Sequence, residues 1–346
     1  MLILSNCLSD RMDEGCLKVA CNLIKRIVNA SPNHTVITYE RESSISSKHL
    51  SLNKFLLNRK LASIIKSKKE KVLYFPFPAK PIATAVRIFN LSRYAKNGLE
   101  VVLTLQTDMT GIAKLLLKMS RANLVVLSED SYVRFQNIMG TNRVKYLKTG
   151  IDTSRFLPVN AIKARELKLK YGLNPERKVV LHVGHMNRGR NLASLMNLSA
   201  DYQVVIVVST LTKNEQDEQL KKQLQQCKNI RIIEEYVDNI EEIYQFSDVY
   251  FFPVIEYGKC IDVPLSCLEA ASCNKPIVTT NYGEMKTFQG KAGFFFIESF
   301  EKDALDQLVD RALNATEVDT RNVIMSYDWE HAVNFFMRRN YDINKK

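Results

Sequence analysis

Two doubly wound α/β domains of similar size are what this sequence predicts, on three observations. Its short apolar runs are continuous stretches of Val, Leu and Ile rather than strict alternations, as in parallel strands covered on both faces. Helix-length patterns separate them almost throughout, the arrangement of strand–helix–strand units. The series restarts after Pro158, in a chain of 346 residues that is long for one core and comfortable for two.

The first series of strands is expected at MLILS, TVITY near 35 to 39, VLYFPF near 72 to 77, EVVLTL near 100 to 105, NLVVLS near 123 to 128 and VKYL near 144 to 147. The second is KVVLHVG at 178 to 184, YQVVIVV at 202 to 208, NIRII at 229 to 233, DVYFF at 248 to 252, PIVTT at 276 to 280 and GFFFI at 293 to 297. The boundary then falls near residues 155 to 160, giving domains 1–157 and 158–327. Tyr327-Asp328-Trp329-Glu330 opens a last helix running to about Asn344.

Hydrophobic residues make up 46% of the chain and charged residues 25%, which excludes disordered, collagen-like and fibrous classes. MLILSNCLSD lacks a basic leader and a long apolar run, so no signal peptide is expected. No uncharged apolar stretch approaches the roughly 20 residues of a spanning helix. Seven cysteines without paired C-x2-C spacing predict reduced, packed thiols and no zinc site. The charge is lopsided: residues 1–155 carry 25 Lys+Arg against 11 Asp+Glu, the remainder 24 against 26. Eight of those cations lie between Lys48 and Lys71 against Glu70 alone, interleaved with Leu50, Phe55, Leu56, Leu61 and Ile65. That pattern predicts a basic amphipathic helix, which could lie on an anionic membrane or simply be a solvated helix face.

Residues 244–280 are the most informative stretch. A short buried strand ends near Pro253, and a helix begins near Leu265 or Ser266, its unpaired N–H groups facing the intervening loop and Glu269 on its first turn. Asp248–Pro253, Pro264–Ser272 and Pro276–Thr280 resemble the nucleotide-binding half of retaining glycosyltransferases of the GT-B fold, in particular the family 4 enzymes. The junction matches too: Thr149-Gly150-Ile151-Asp152 and Phe156-Leu157-Pro158 are similar to that family's N-G-V-D-x-x-x-F-x-P turn. The resemblance implies two Rossmann-like domains facing across a cleft, an N-terminal one for the acceptor and a C-terminal one for the nucleotide sugar, with the helix from 328 returning to the first.

By that resemblance Glu269 is the second glutamate of an E-x7-E motif and holds the donor's ribose hydroxyls. The first glutamate is replaced by Ile261, so the carboxylate facing the donor sugar would come from Asp262 or Glu256. Gly184, His185, Arg188 and Arg190 stand in the loop that contacts the phosphates, where the fixed fork of arginine suits bidentate pairing. Ser266 and the N–H groups of Leu265 to Cys267 would complete the anion site, a role compatible with Ser266 as a simple N-cap. Tyr236 and Val237 would border the base, UDP or GDP being undecided. In the first domain, Gly15 keeps one glycine of the family's phosphate-facing loop, and Gln106 or Asp108 takes the place of a histidine near the donor sugar, or else caps the next helix.

The expected function is therefore a retaining, metal-independent glycosyltransferase moving a sugar from a nucleoside-diphosphate sugar to a glycan or lipid-linked acceptor. It needs no cofactor, acts in the cytoplasm at the inner face of the membrane, and touches that surface through residues 48–71. Alternatives are a non-catalytic subunit that kept the fold, a nucleotide-sugar epimerase and, with no supporting motif and no interleaved stacking aromatics, a nucleic-acid-binding protein.

Overall fold

A computed structural model describes the chain except residues 7, 9–13, 32, 41–42, 54, 77–79, 106–107, 210–216 and 342–346, and except the side chains of residues 188 and 338–341. Two compact units divide it. One comprises Met1–Thr149, Ile261–Val263 and the helix Trp329–Tyr341; the other comprises Gly150–Cys260 and Pro264–Asp328.

The first unit is built on seven parallel strands: β1 (Leu2–Ser5), β2 (Thr35–Thr38), β3 (Lys48–His49), β4 (Val72–Phe75), β5 (Leu99–Leu103), β6 (Ala122–Val126) and β7 (Val144–Tyr146), in the order β3-β2-β1-β4-β5-β6-β7. Leu2 lies opposite both Thr35 and Val72, so β1 is the axis from which the chain winds to either side. Leu4, Ile37, Tyr74, Val101, Leu124 and Val126 build one core with Ile65, Ile88, Leu91 and Leu117 of the covering helices. Glu100 is buried within β5 and pairs with Lys71 Nζ at 2.8 Å and Lys145 Nζ at 2.5 Å. The helix Trp329–Tyr341 packs on the helix Gly15–Ala30, with the Arg26 guanidinium 5.8 Å from the Trp329 ring.

The second unit has six parallel strands: β8 (Val179–Gly184), β9 (Gln203–Val208), β10 (Ile230–Ile233), β11 (Val249–Phe252), β12 (Ile277–Thr279) and β13 (Phe294–Phe296), in the order β10-β9-β8-β11-β12-β13. Val180 stands opposite Val204 and Val249 and anchors a core that includes Leu192, Leu195, Ile206, Phe251, Val278 and Leu305.

All twelve expected strands are present, and β3 is an addition. The amphipathic helix expected over 48–71 is not continuous and needs correcting: only Arg59–Lys68 is helical, after the two-residue strand β3. Asparagines interrupt it. Asn53 Oδ1 accepts from the N–H groups of Phe55 and Leu57, closing a turn, and Asn58 Oδ1 accepts from Leu61 N at 3.0 Å as a new N-cap. Leu50, Leu56, Leu61 and Ile65 are buried in the unit's own core, so much of that segment's apolar face is already used.

Candidate functional site

The strand order of the second unit reverses at β8, which has β9 on one side and β11 on the other; in open parallel sheets the crevice at such strand ends is where ligands bind. β8 ends at Gly184. A Cβ there would lie 2.5 Å from Arg190 Nη1 and 3.2 Å from His182 Nε2, so only glycine leaves space for this guanidinium. The next loop closes in a 3-10 turn, Arg188–Arg190, with Arg190 N donating to Asn187 O at 3.0 Å. Arg190 is only 6% exposed, and its side chain has no hydrogen bond or ion pair among the described residues. Arg188 shares that turn, but its side chain lies outside the described residues; His185 is half-buried at the loop's start.

Among the described residues of this unit, the buried side-chain polar atoms without a hydrogen-bond partner are His182 Nε2, Asn187 Oδ1, Arg190 Nε and Ser209 Oγ. All four belong to this end of the sheet, where Ser209 N donates to Gly184 O at 3.2 Å. Interiors pair nearly all their polar atoms, so four unmatched ones at a strand-order reversal mark a place for a polar ligand.

His182 is fully buried between the rings of Tyr250 and Phe252, at 6.3 and 6.5 Å between centroids. Its Nδ1 lies 2.9 Å from Phe251 O, which requires Nδ1–H to donate and leaves Nε2 an acceptor. Burial, reinforced by the Arg190 charge, lowers its pKa to about 3. In the unfolded chain this group binds a proton near pH 6.5; in the folded state it does so only near 3. Its contribution to stability is therefore complete above 6.5 and is lost as pH falls from there, at up to about 1.4 kcal/mol per pH unit. Urea midpoints between pH 7 and 5 are expected to fall less steeply in His182→Asn than in the wild type. Parallel slopes in the two proteins would contradict this.

The helix Leu265–Ser272 follows β11. Pro264 holds its cap position, without a side-chain cap, and Ser266 is its second residue rather than the N-cap. Glu269 is the fifth residue, one turn deeper than expected. Cys267 N donates to Pro264 O at 3.0 Å, so the N–H groups left for an anion at this helix start are those of Leu265 and Ser266. Tyr250 links this helix to β8: its hydroxyl donates to Val183 O at 3.1 Å and hydrogen-bonds Ser266. Glu269 is 3% exposed and accepts from the Tyr244 hydroxyl at 2.8 Å. Burial pushes the Cys267 thiol well up; Arg190 opposes that shift and Glu269 adds to it, which places both charges around Cys267. Gly184, Arg190, Ser266, Cys267 and Glu269 thus form one neighbourhood.

The glycine turn at the junction supports the same helix. Gly150, at φ +136°, is pressed against Leu265, and the Phe156 ring meets Tyr244 edge-on at 5.7 Å. Ser272 Oγ donates to Phe156 O at 2.6 Å, and Arg321 binds the carbonyls of Phe156, Ser272 and Thr153. Tyr244, Tyr250 and His182 escaped the sequence reading because YQFSDVYFF and KVVLHVG have the look of plain core. The available signal was that a buried tyrosine hydroxyl requires a partner.

The other candidate residues belong to other elements. Tyr236 is exposed and Val237 half-buried in the turn after β10, two strands from β8 and roughly 10 Å across the sheet. Glu256 packs against Gly189 and pairs with Lys259 at 3.7 Å, which sets it beside the arginine turn. Asp262 and Ile261 belong to the first unit: Asp262 N donates to Thr104 O at 2.8 Å, and Ile261 bridges Leu105. Ile261 also covers Gly15, where a Cβ would meet its Cδ1 at 3.0 Å. Glu14 caps that helix, accepting from Leu17 N at 2.9 Å, so a carboxylate already occupies the N-terminus at which Gly15 was expected to admit a phosphate. Asp108 is exposed, and Gln106 lies outside the described residues. Among the described residues no three His, Cys, Asp or Glu side chains gather as metal ligands.

No curated protein sequence matches the chain. Among solved structures, a glycosyltransferase from Rickettsia africae ESF-5 has 15% identity and a TM-score of 0.73, covering 99% of this chain and 97% of its own. Anabaena HepE in complex with UDP-glucose has 13% identity and a TM-score of 0.73, covering 99% and 100%. WaaG, a glycosyltransferase involved in lipopolysaccharide biosynthesis, has 14% identity and a TM-score of 0.65, covering 97% and 95%. Residues 177–315, which hold the arginine turn and Glu269, match the family described as glycosyl transferases group 1. The chain has the GT-B fold of those structures.

Proposed function

We propose that this chain moves a sugar from a UDP-sugar to a glycan or lipid-linked acceptor with retention of anomeric configuration, and that no metal is needed. The observation that carries the reading is the unpaired, buried guanidinium of Arg190 at the end of β8, beside the start of the helix that holds Glu269. As the glycosidic bond breaks, negative charge grows on the departing diphosphate. A preorganised cation with the Leu265 and Ser266 N–H groups stabilises that charge more than the ground state, which lowers the barrier. Glu269 receives the ribose hydroxyls. The departing phosphate takes the acceptor's proton, so the reaction calls for no separate protein base. HepE, solved with UDP and with UDP-glucose, supports uridine as the base, and WaaG supports a lipid-linked acceptor. Six described cysteines are unbridged, in keeping with the reducing cytoplasm.

Titration calorimetry with UDP tests the pocket. Glu269→Gln keeps an acceptor for the Tyr244 hydroxyl but gives up the charge, and is expected to weaken UDP binding by about 1.5–2 kcal/mol, or roughly 10–30-fold, without lowering the melting temperature. Equal affinity in variant and wild type would remove Glu269 from the site. Silence of the wild type toward both UDP and GDP would remove the site itself. Ile261, standing where the family has a glutamate, favours one second reading, a nucleotide-binding subunit without catalysis. Tight UDP binding with neither hydrolysis nor transfer from any common UDP-sugar would select it.

A further inference from the structure

After β11 the chain enters a loop whose two ends are fixed and whose crest stands in solvent. Thr280 Oγ1 donates to Val254 O, and the Tyr282 hydroxyl donates to Cys260 O at 2.7 Å while accepting from Cys260 N at 3.0 Å. Val254 and Cys260 are buried, whereas Ile255, Glu256, Tyr257 and Lys259 between them are exposed. A turn with Gly258 at φ +77° brings Lys259 back to Glu256, its N–H donating to Glu256 O at 3.3 Å. The crest leans on the arginine turn. A Cβ on Gly189 would collide with both Glu256 Oε2 and Lys259 Cγ, so the carboxylate and the lysine stem rest on the one residue between Arg188 and Arg190. Lys259 Nζ is 3.7 Å from Glu256 Oε2, beyond hydrogen-bond reach, and the two side chains are 47% and 56% exposed. A solvated pair of this geometry contributes little and exchanges readily.

We propose that Lys259 is a further phosphate-binding residue, which exchanges Glu256 for the sugar-bearing phosphate of the nucleotide, and that Glu256 is a built-in anion competing for it. This rests on the UDP-sugar reading above. The direction follows from strand order. The loop after β11 lies on one side of β8, and the turn after β10, where Tyr236 and Val237 are expected to border the base, lies on the other. A diphosphate crossing the end of β8 with its nucleoside toward β10 therefore turns its far phosphate toward Lys259. Arg190 is a fixed cation, buried against Gly184; Lys259 is an adaptable one on a four-carbon stem. A phosphate carrying more than one negative charge outcompetes a single carboxylate for that ammonium. The consequence is selectivity for UDP over UMP, which lacks the phosphate that Lys259 meets.

Titration calorimetry with UDP and with UMP, run in parallel on the full chain, tests this. Lys259→Met keeps a stem over Gly189 and removes the charge. It is expected to weaken UDP binding roughly tenfold and UMP binding less than about twofold, with an unchanged melting temperature because the ammonium is solvated. Lys259→Arg, which keeps a cation at that place, is expected to stay within about threefold of the wild type for UDP. Glu256→Gln is expected to strengthen UDP binding about threefold by removing the competing anion. Wild-type binding of UDP with undiminished affinity in Lys259→Met, or with equal losses for UDP and UMP, would overturn this proposal and leave the pocket standing. A wild type silent toward UDP would overturn it together with the reading on which it rests.

Discussion

Arg190→Ala is expected to weaken UDP binding by about 2–3 kcal/mol, roughly 30–150-fold, while leaving the folded protein as stable as before or slightly more so. The two halves of that result have one cause. The guanidinium lies 6% exposed against Gly184, its Nε lacks a partner, and no carboxylate or carbonyl among the described residues neutralises it. A desolvated charge without compensation is a burden on the empty protein and a gain once a diphosphate arrives. Arg190→Lys keeps the charge but loses the planar fork, and should fall between alanine and wild type. Calorimetry with UDP and urea unfolding on the same samples check both halves. A large loss of stability with unaltered affinity would make Arg190 a structural cation.

Glu100→Ala should cost about 3 kcal/mol, which for a unit of this size lowers the melting temperature by roughly 6–12 °C. Glu100 sits in the middle of the seven-stranded sheet and binds Lys71, just ahead of β4, and Lys145 in β7. Removing it leaves two half-buried ammonium groups facing one another across the place it occupied. The combined variant Lys71→Met, Glu100→Leu, Lys145→Met should recover most of the loss, because substituting a whole buried charge group by apolar side chains removes its desolvation cost as well. Thermal unfolding of the single and combined variants separates the two effects. A combined variant no better than Glu100→Ala would show that the ion group itself holds the sheet.

The sheets were legible in the sequence because a strand buried on both faces needs an unbroken apolar run, and twelve such runs stand out. β3 was not, since Lys48–His49 is a two-residue edge held by backbone bonds, Ser47 N to Val36 O and Leu50 N to Thr38 O, which leave no apolar signature. The overextended helix over 48–71 has a similar origin: periodicity continues through Asn53 and Asn58, but their side chains close a turn and start a new helix. At the site, a glycine-flanked arginine turn and a lone glutamate in an apolar helix could be picked out as anomalies of composition. Tyr244, Tyr250 and His182 could not, because in a run of aromatic or aliphatic core residues nothing local distinguishes a polar tip that will be used from one that is merely packed. Ile261 and Gly15 are 246 positions apart in the chain, and only the fold brings them into contact.

The first unit is assembled from three separated lengths of chain, the last of which is the helix from Trp329. On a ribosome, its sheet can be laid down early, but the side of the helix Gly15–Ala30 on which the helix from Trp329 packs stays uncovered while nearly two hundred further residues are made. The second unit, by contrast, has all of its chain by Asp328. Translation therefore sets an order of completion opposite to the order of synthesis, and a nascent chain stalled in that interval displays an apolar flank to chaperones and proteases.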